Sequence, residues 1–232
     1  MTITEKTFSN MKPQIGNIAE VIIVLTLGFG VFIYSSTIAF IENSKLQTAQ
    51  TYNNNDFIFI IVYEIFTLAI IACYLKYRHW TYKDFNLNFT IDMIVVAVIL
   101  VTIRETTGFF TIQILDSLNL LNPKIFNEPT ISFQLNLVSI LLISIINSIY
   151  EEVLLIGYIF KRFEKYNPLI IISISLILRA SYHTYQGLAN LPMILILAVV
   201  FGIYYTKYKK LWPLIIAHGI GNVFHLLNAN SH

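Results

Sequence analysis

Two adjacent glutamates, Glu151 and Glu152, stand inside a long apolar run, and two later apolar runs carry histidines at helical spacing. On the first run Asn147, Ser148, Glu151 and Glu152 are related by steps of three and four. Arg179, His183 and Gln186 repeat that pattern on the second run, and His218, Asn222 and His225 on the third. Side chains three or four apart share one helix face, so each run would carry a polar stripe on an apolar cylinder. A charge at the bilayer centre costs roughly 2.5–3.5 kcal/mol, and a stripe turned to lipid leaves its groups unpaired. The three stripes are therefore expected to face one another around a shared interior site. The plain alternative, polar residues that only join helices at about 0.6 kcal/mol per contact, accounts for one stripe more easily than for three.

The chemistry such a site would support is proton transfer. Two neighbouring carboxylates in a low dielectric cannot both ionise easily. A carboxylate poised in this way, with a histidine in reach, can take a proton from water and later deliver it to a leaving amine. His218 and Asn222, one turn apart, could aim two donors at a developing oxyanion. A nucleophile triad is disfavoured, because Cys73 shares its run with no histidine and no G-x-S-x-G elbow occurs. The H-E-x-x-H zinc motif is also missing, and no two histidines sit at H-x-x-x-H spacing. The favoured expectation requires no cofactor. Even so, Glu151, His183 and His218 are residue types that hold zinc or another divalent metal, and residue type alone does not choose between the two routes.

The elements that must position these groups follow from composition. Of 232 residues, 56% are apolar and 12% charged, against about 25% charged in ordinary soluble domains. Mean hydropathy is +0.67. Soluble enzymes, disordered regulators and nucleic-acid binders are excluded, and a net charge of +2 calls for no polyanionic partner. Apolar runs of spanning length fall at roughly 21–41, 57–75, 93–115, 131–160, 168–186, 188–206 and 211–230. The expected fold is an all-α polytopic transmembrane bundle of about seven spans, with eight as the other count. Basic residues cluster on alternate connections, at Lys76, Arg78 and Lys83, at Lys161, Arg162 and Lys165, and at Lys207, Lys209 and Lys210. The intervening connections hold only Lys45 and Lys124, so the positive-inside rule places the N-terminus in the cytoplasm. No cleavable signal peptide is evident, and Glu42–Asp56 reads as an outer loop.

The ordered set of motifs resembles a known family. It comprises Glu151-Glu152 with Ile156-Gly157, then Arg179 with Tyr182-His183 and Tyr185-Gln186-Gly187. Phe201-Gly202 with Tyr205 follows, and then Leu211-Trp212-Pro213 with His218 and Asn222. Together these look like the CPBP family of intramembrane proteases (CAAX proteases and bacteriocin-processing enzymes, also called Abi). The resemblance covers Asn147 to Asn222. It divides the chain into residues 1–128, three spans without a motif, and 129–232, a catalytic region of four spans. It implies a peptidase of the bacterial inner membrane acting on a peptide or protein substrate, with a site opening toward the cytoplasm. Glu151 would be the general base acting on water, with His183 assisting. Glu152 would support the site, and His218 with Asn222 would stabilise the oxyanion; Arg179 and His225 are supporting candidates. Bacteriocin or signalling-peptide maturation and self-immunity are the roles it suggests. A non-catalytic scaffold or regulator, or an immunity protein of the same family, is the alternative reading.

Two positions depart from the family pattern. Ile156 stands where an arginine is usual, four residues after the second glutamate, and Arg179 stands where a phenylalanine is usual, four before the histidine. The expectation is that Arg179 replaces the missing cation across a helix interface. Glu64, Arg104 and Glu105 belong to no stripe, and an Arg104–Glu64 pair between helices is the simplest structural expectation for them.

Overall fold

The computed structural model describes residues 3–46, 50–120 and 131–230. Eight α-helices follow in order: α1 Ile3–Leu46, α2 Asn54–Tyr77, α3 Asp92–Ser117, α4 Leu137–Glu151, α5 Ile159–Arg162, α6 Pro168–His183, α7 Leu191–Tyr208 and α8 Trp212–Asn230. A π-helical turn, Glu152–Tyr158, joins α4 to α5 without interrupting the rod. Five helical stretches are long and apolar enough to cross a membrane: Gly16–Glu42, Asn54–Tyr77, Asp92–Ser117, Leu137–Arg162 and Leu191–Tyr208. The protein is an all-α membrane helix bundle, with α6 and α8 packed among these five.

Local sequence explains where the helices begin. The side chain of Asn53 accepts from the Asn55 amide while Asp56 accepts from the Asn53 amide, a reciprocal cap that starts α2. Asn136 caps α4 through the Ser139 amide, and Asn167 with Pro168 starts α6. The fourth apolar run is therefore shorter than its composition indicates. Its first residues, Ile131–Gln134, form a strand, β2, that pairs in parallel with β1, Gln50–Asn53. This corrects two expectations, since the fourth span begins at Leu137 rather than Ile131, and the outer loop ends in a strand. The fifth span likewise ends at His183, where a 3₁₀ turn, Thr184–Gln186, leads into Gly187 at φ 88°. The boundary expected at 128/129 and the basic residue Lys124 lie outside the described residues.

α4 packs against α2 and α8, α3 against α7 and α8, and α6 against α7 and α1. One apolar core runs through all of them, from Val24 and Phe29 through Ile71 and Ala97 to Leu154, Phe201 and Leu214. The two ends of the bundle differ chemically. At one end Glu20 is 1% exposed and accepts from Arg78 Nε at 2.9 Å, Trp80 Nε1 at 3.0 Å and the Tyr158 hydroxyl at 3.2 Å. Arg162 Nη2 also bonds to it and lies with its guanidinium over the Trp80 ring. At the other end stand the β1–β2 ladder and the 3₁₀ turn after α6. That turn is tied to α1 by Ser36, whose hydroxyl pairs with Thr184 at 2.8 Å and accepts from the Tyr185 amide at 2.9 Å.

Removing one partner from a buried ion cluster leaves the others uncompensated, at a cost of about 3–5 kcal/mol. Because Arg78 and Arg162 are partly exposed, with side-chain accessibilities of 36% and 16%, Glu20→Ala is expected to cost about 3 kcal/mol. Glu20→Gln should cost less. The unfolding midpoint of the detergent-solubilised protein measures both.

Candidate active site

The three polar stripes meet. Glu151, on the last turn of α4, is 3% exposed, and Glu152, the first residue of the π turn, is fully buried. Adjacent residues on a helix diverge by about 100°, so one point charge would not serve both well. A guanidinium presents a rigid fork of donors and can. Arg179 of α6, itself 1% exposed, donates from Nη1 to Glu151 Oε2 at 2.8 Å and from Nη2 to Glu152 Oε1 at 2.6 Å. The guanidinium thus reaches Glu152 across the helix interface while Ile156 is fully buried in the apolar core.

The two carboxylates are held differently. Glu152 Oε1 also meets His218 Nδ1 of α8 at 2.7 Å, which draws α8 onto the same charge. Glu151 Oε2 accepts in addition from the Tyr182 hydroxyl at 2.5 Å. Its second oxygen, Oε1, accepts from Asn147 Nδ2 at 3.2 Å and lies 3.9 Å from His183 Nε2. That last separation is too long for a direct hydrogen bond and suits one bridging water. Asn222 donates to Asn147 Oδ1 at 3.2 Å, so α8 also reaches the Glu151 side of the cluster.

Glu151 lines a cavity of about 330 Å³ whose wall also includes Asn147, His183, Asn222 and His225. His218 does not border this cavity, although it had been paired with Asn222 as an oxyanion donor; its ring is turned to Glu152 instead. Gln186, the last member of the α6 stripe, borders the cavity and donates to the Tyr185 hydroxyl at 2.9 Å.

Two participants, Tyr182 and Glu64, carry little signal of their own in the sequence. Tyr182 precedes His183 and looks like one more aromatic on an apolar helix. Asn147 is marked by its spacing of four from Glu151. Glu64, alone on α2, is 1% exposed and accepts from the same Asn147 amide at 2.7 Å, which adds a third carboxylate to the network. Glu64 does not pair with Arg104, as had been expected. Arg104 bonds to its neighbour Glu105 and packs against Gly221 of α8.

For a divalent metal the sequence offers Glu151, His183 and His218. The groups whose donor atoms converge within 4.8 Å are instead Glu151, Glu152 and His218. These donors fit a divalent ion poorly, because the Arg179 fork already occupies one oxygen of each carboxylate. An ion seated there would add its charge beside a buried guanidinium.

Residues 133–224 match the family model described as type II CAAX prenyl endopeptidase Rce1-like. The match takes in Glu151, Glu152, Arg179, His183, His218 and Asn222, and leaves out Glu64 and, by one residue, His225. No curated protein and no solved structure matches the chain.

Arg179 should be the most sensitive position for folding. Arg179→Met strips the cation from two buried carboxylates, and a loss of about 3–5 kcal/mol is expected. Arg179→Lys keeps the charge but lacks the fork, so it should recover only part of that loss. Unfolding midpoints of the wild type and the two variants test the order, and equal stability of Lys and Met would contradict it.

Proposed function

We propose that this protein, whose α4–α8 region matches the type II CAAX prenyl endopeptidase Rce1-like family, is an intramembrane endopeptidase in which Glu151 activates water. The observation that carries this reading is the asymmetry of Glu151. Oε2 is fixed by Arg179 and Tyr182, whereas Oε1 has only the Asn147 amide at 3.2 Å and His183 Nε2 3.9 Å away, on a residue that lines a cavity. A general base needs such an oxygen, aimed by its partner bonds and open toward the substrate.

A water between Glu151 Oε1 and His183 Nε2 would attack the carbonyl carbon of a peptide bond lying in the cavity. As the C–O bond forms, the water proton passes to Glu151 Oε1, and the carbonyl π electrons move onto its oxygen. Asn222, on the cavity wall with one amide hydrogen beyond its bond to Asn147, would donate to that oxyanion. Collapse breaks the C–N bond, and the proton held by Glu151 goes to the leaving amine. His218 is a positioning residue here, since it holds Glu152, which shares Arg179 with the base. The route needs no metal. The substrate is a peptide or membrane-associated protein, and the bacterial cell membrane is the proposed location.

Removing the general base should lower cleavage by about 10²–10⁴-fold. Comparing the masses of membrane-associated peptides from cells expressing wild type or Glu151→Gln tests this. A scaffold predicts identical spectra, and a peptidase predicts a product that vanishes with Glu151. Tyr182→Phe keeps the ring and removes one bond to Oε2, so a smaller loss of about tenfold is expected in the same assay. The metal question has its own readout. One stoichiometric zinc in active purified protein, lost together with activity on chelation, would overturn the metal-free route.

A further inference from the structure

The cavity at Glu151 lies wholly in one half of the bundle. From Glu151 and Asn147 of α4 at mid-bundle, its wall runs to the C-terminal half of α1 (Ser36), the first turns of α2 (Phe57), β1 (Tyr52), β2 (Phe133), the turn after α6 (Gln186) and the second half of α8 (His225). Tyr52 and Phe133, partners in the strand register, stack at 5.9 Å along this wall. The segments it runs to all belong to the end of the molecule opposite the basic connections.

The path from the basic end is plugged. Below Glu152, Leu154, Leu155, Tyr158 and Ile159 are fully buried, and Phe160 nearly so. Trp80 packs on Tyr158 at 5.0 Å, and Glu20 with its two arginines closes the floor beneath them. The basic residues gather around this floor. Asn86 bonds to the Lys209 carbonyl, and Lys210 lies 4.0 Å from Asp92. A helix end rich in lysine and arginine stays on the cytoplasmic side of a cell membrane.

We infer that the catalytic cavity is entered from the extracytoplasmic side, so that the substrate is an exported or membrane-anchored polypeptide segment presented at the outer surface. This rests on the peptidase reading for the word substrate, but the sidedness itself rests only on the placement of the cavity and the charges. It departs from the cytoplasmic opening that the family resemblance implies. The wall also shapes what is admitted. Its charged groups among the described residues include Glu64 and Glu151 and no lysine or arginine, so an uncharged or cationic segment fits better than one bearing a carboxylate. Val31 and Phe59 border the cavity with 51% and 70% exposure, so it also meets lipid between α1 and α2, as a membrane-anchored substrate requires.

Single cysteines in a Cys73→Ser background test the orientation, with a membrane-impermeant maleimide applied to intact bacterial cells and to inverted membrane vesicles. Thr51→Cys at the ladder and Gln186→Cys on the cavity wall should label in intact cells and lose that labelling in inverted vesicles. Lys209→Cys should behave in the opposite way. If Gln186→Cys does not accumulate, Ser35→Cys on the same wall replaces it. Labelling of the wall cysteine only in inverted vesicles, or from neither side, overturns the inference. Cleavage measured on the same labelled proteins, which keep Glu151, separates the two ideas. Outward labelling of a protein that never cleaves would reject the peptidase and leave the sidedness standing, whereas a cleaving protein labelled from the cytoplasmic side would do the reverse.

Discussion

The guanidinium of Arg179, forked between Glu151 and Glu152, is the interaction on which the rest of the molecule depends. A pair of adjacent carboxylates in the interior of a membrane bundle is costly unless a cation and hydrogen bonds compensate it. Meeting that need fixes α6 against the end of α4, because Nη1 and Nη2 must reach two adjacent side chains at once. Glu152 then carries the requirement onward to His218 and so to α8, while Glu151 carries it to Tyr182 one turn along α6. Two carboxylates facing one guanidinium leave a negative balance. That balance is what the proposed general base would use.

The backbone at this point is not regular. The π turn begins at Glu152 and ends at Tyr158, directly after the residue that would serve as base. Such turns are rare and concentrate at functional sites, because the extra residue changes the phase of the side chains that follow. Here the turn carries Ile156 into the core and sets Gly157 against Phe85 and Leu211, where an added Cβ would lie 3.1 and 3.2 Å from their side chains. The segment that holds the family's usual arginine has thus become a packing surface. The positive charge reaches Glu152 sideways, from α6.

Much of this was legible before any coordinates, for a physical reason. Helical periodicity is local, so the spacing of Asn147 to Glu151, Arg179 to His183 and His218 to Asn222 reports shared faces without knowledge of the fold. The cost of lone polar groups in lipid then requires those faces to meet. What escaped depends on registration between helices. Nothing about Glu64 indicates that its α2 turn lies level with Asn147, and nothing about Tyr182 indicates that its hydroxyl tops Glu151 rather than water. The ladder of β1 and β2 was hidden because Ile131–Gln134 reads as more of the same apolar run. Pairing His218 with Asn222 was reasonable on one helix, yet a ring nitrogen within 2.7 Å of a buried carboxylate is held by it, whichever face its neighbours share.

The molecule uses one chemical device twice, and the two copies differ in what separates a strut from the proposed base. Glu20 and Glu151 are both buried carboxylates bound by arginine and by a tyrosine hydroxyl. Both oxygens of Glu20 are taken, Oε2 by Arg78 and Oε1 by Trp80, Tyr158 and Arg162, and aromatic rings close the space around them. Such a group has no accessible lone pair to offer a substrate, and its work is to hold α1 against the C-terminal ends of α2 and α5. Glu151 has one oxygen held as firmly, but the other meets only a longer amide bond at 3.2 Å and a histidine nitrogen at 3.9 Å, across open space. Burial gives both acids their rigidity. Only the second has an oxygen with so few partners, and it has it where the bundle is hollow rather than where it is plugged.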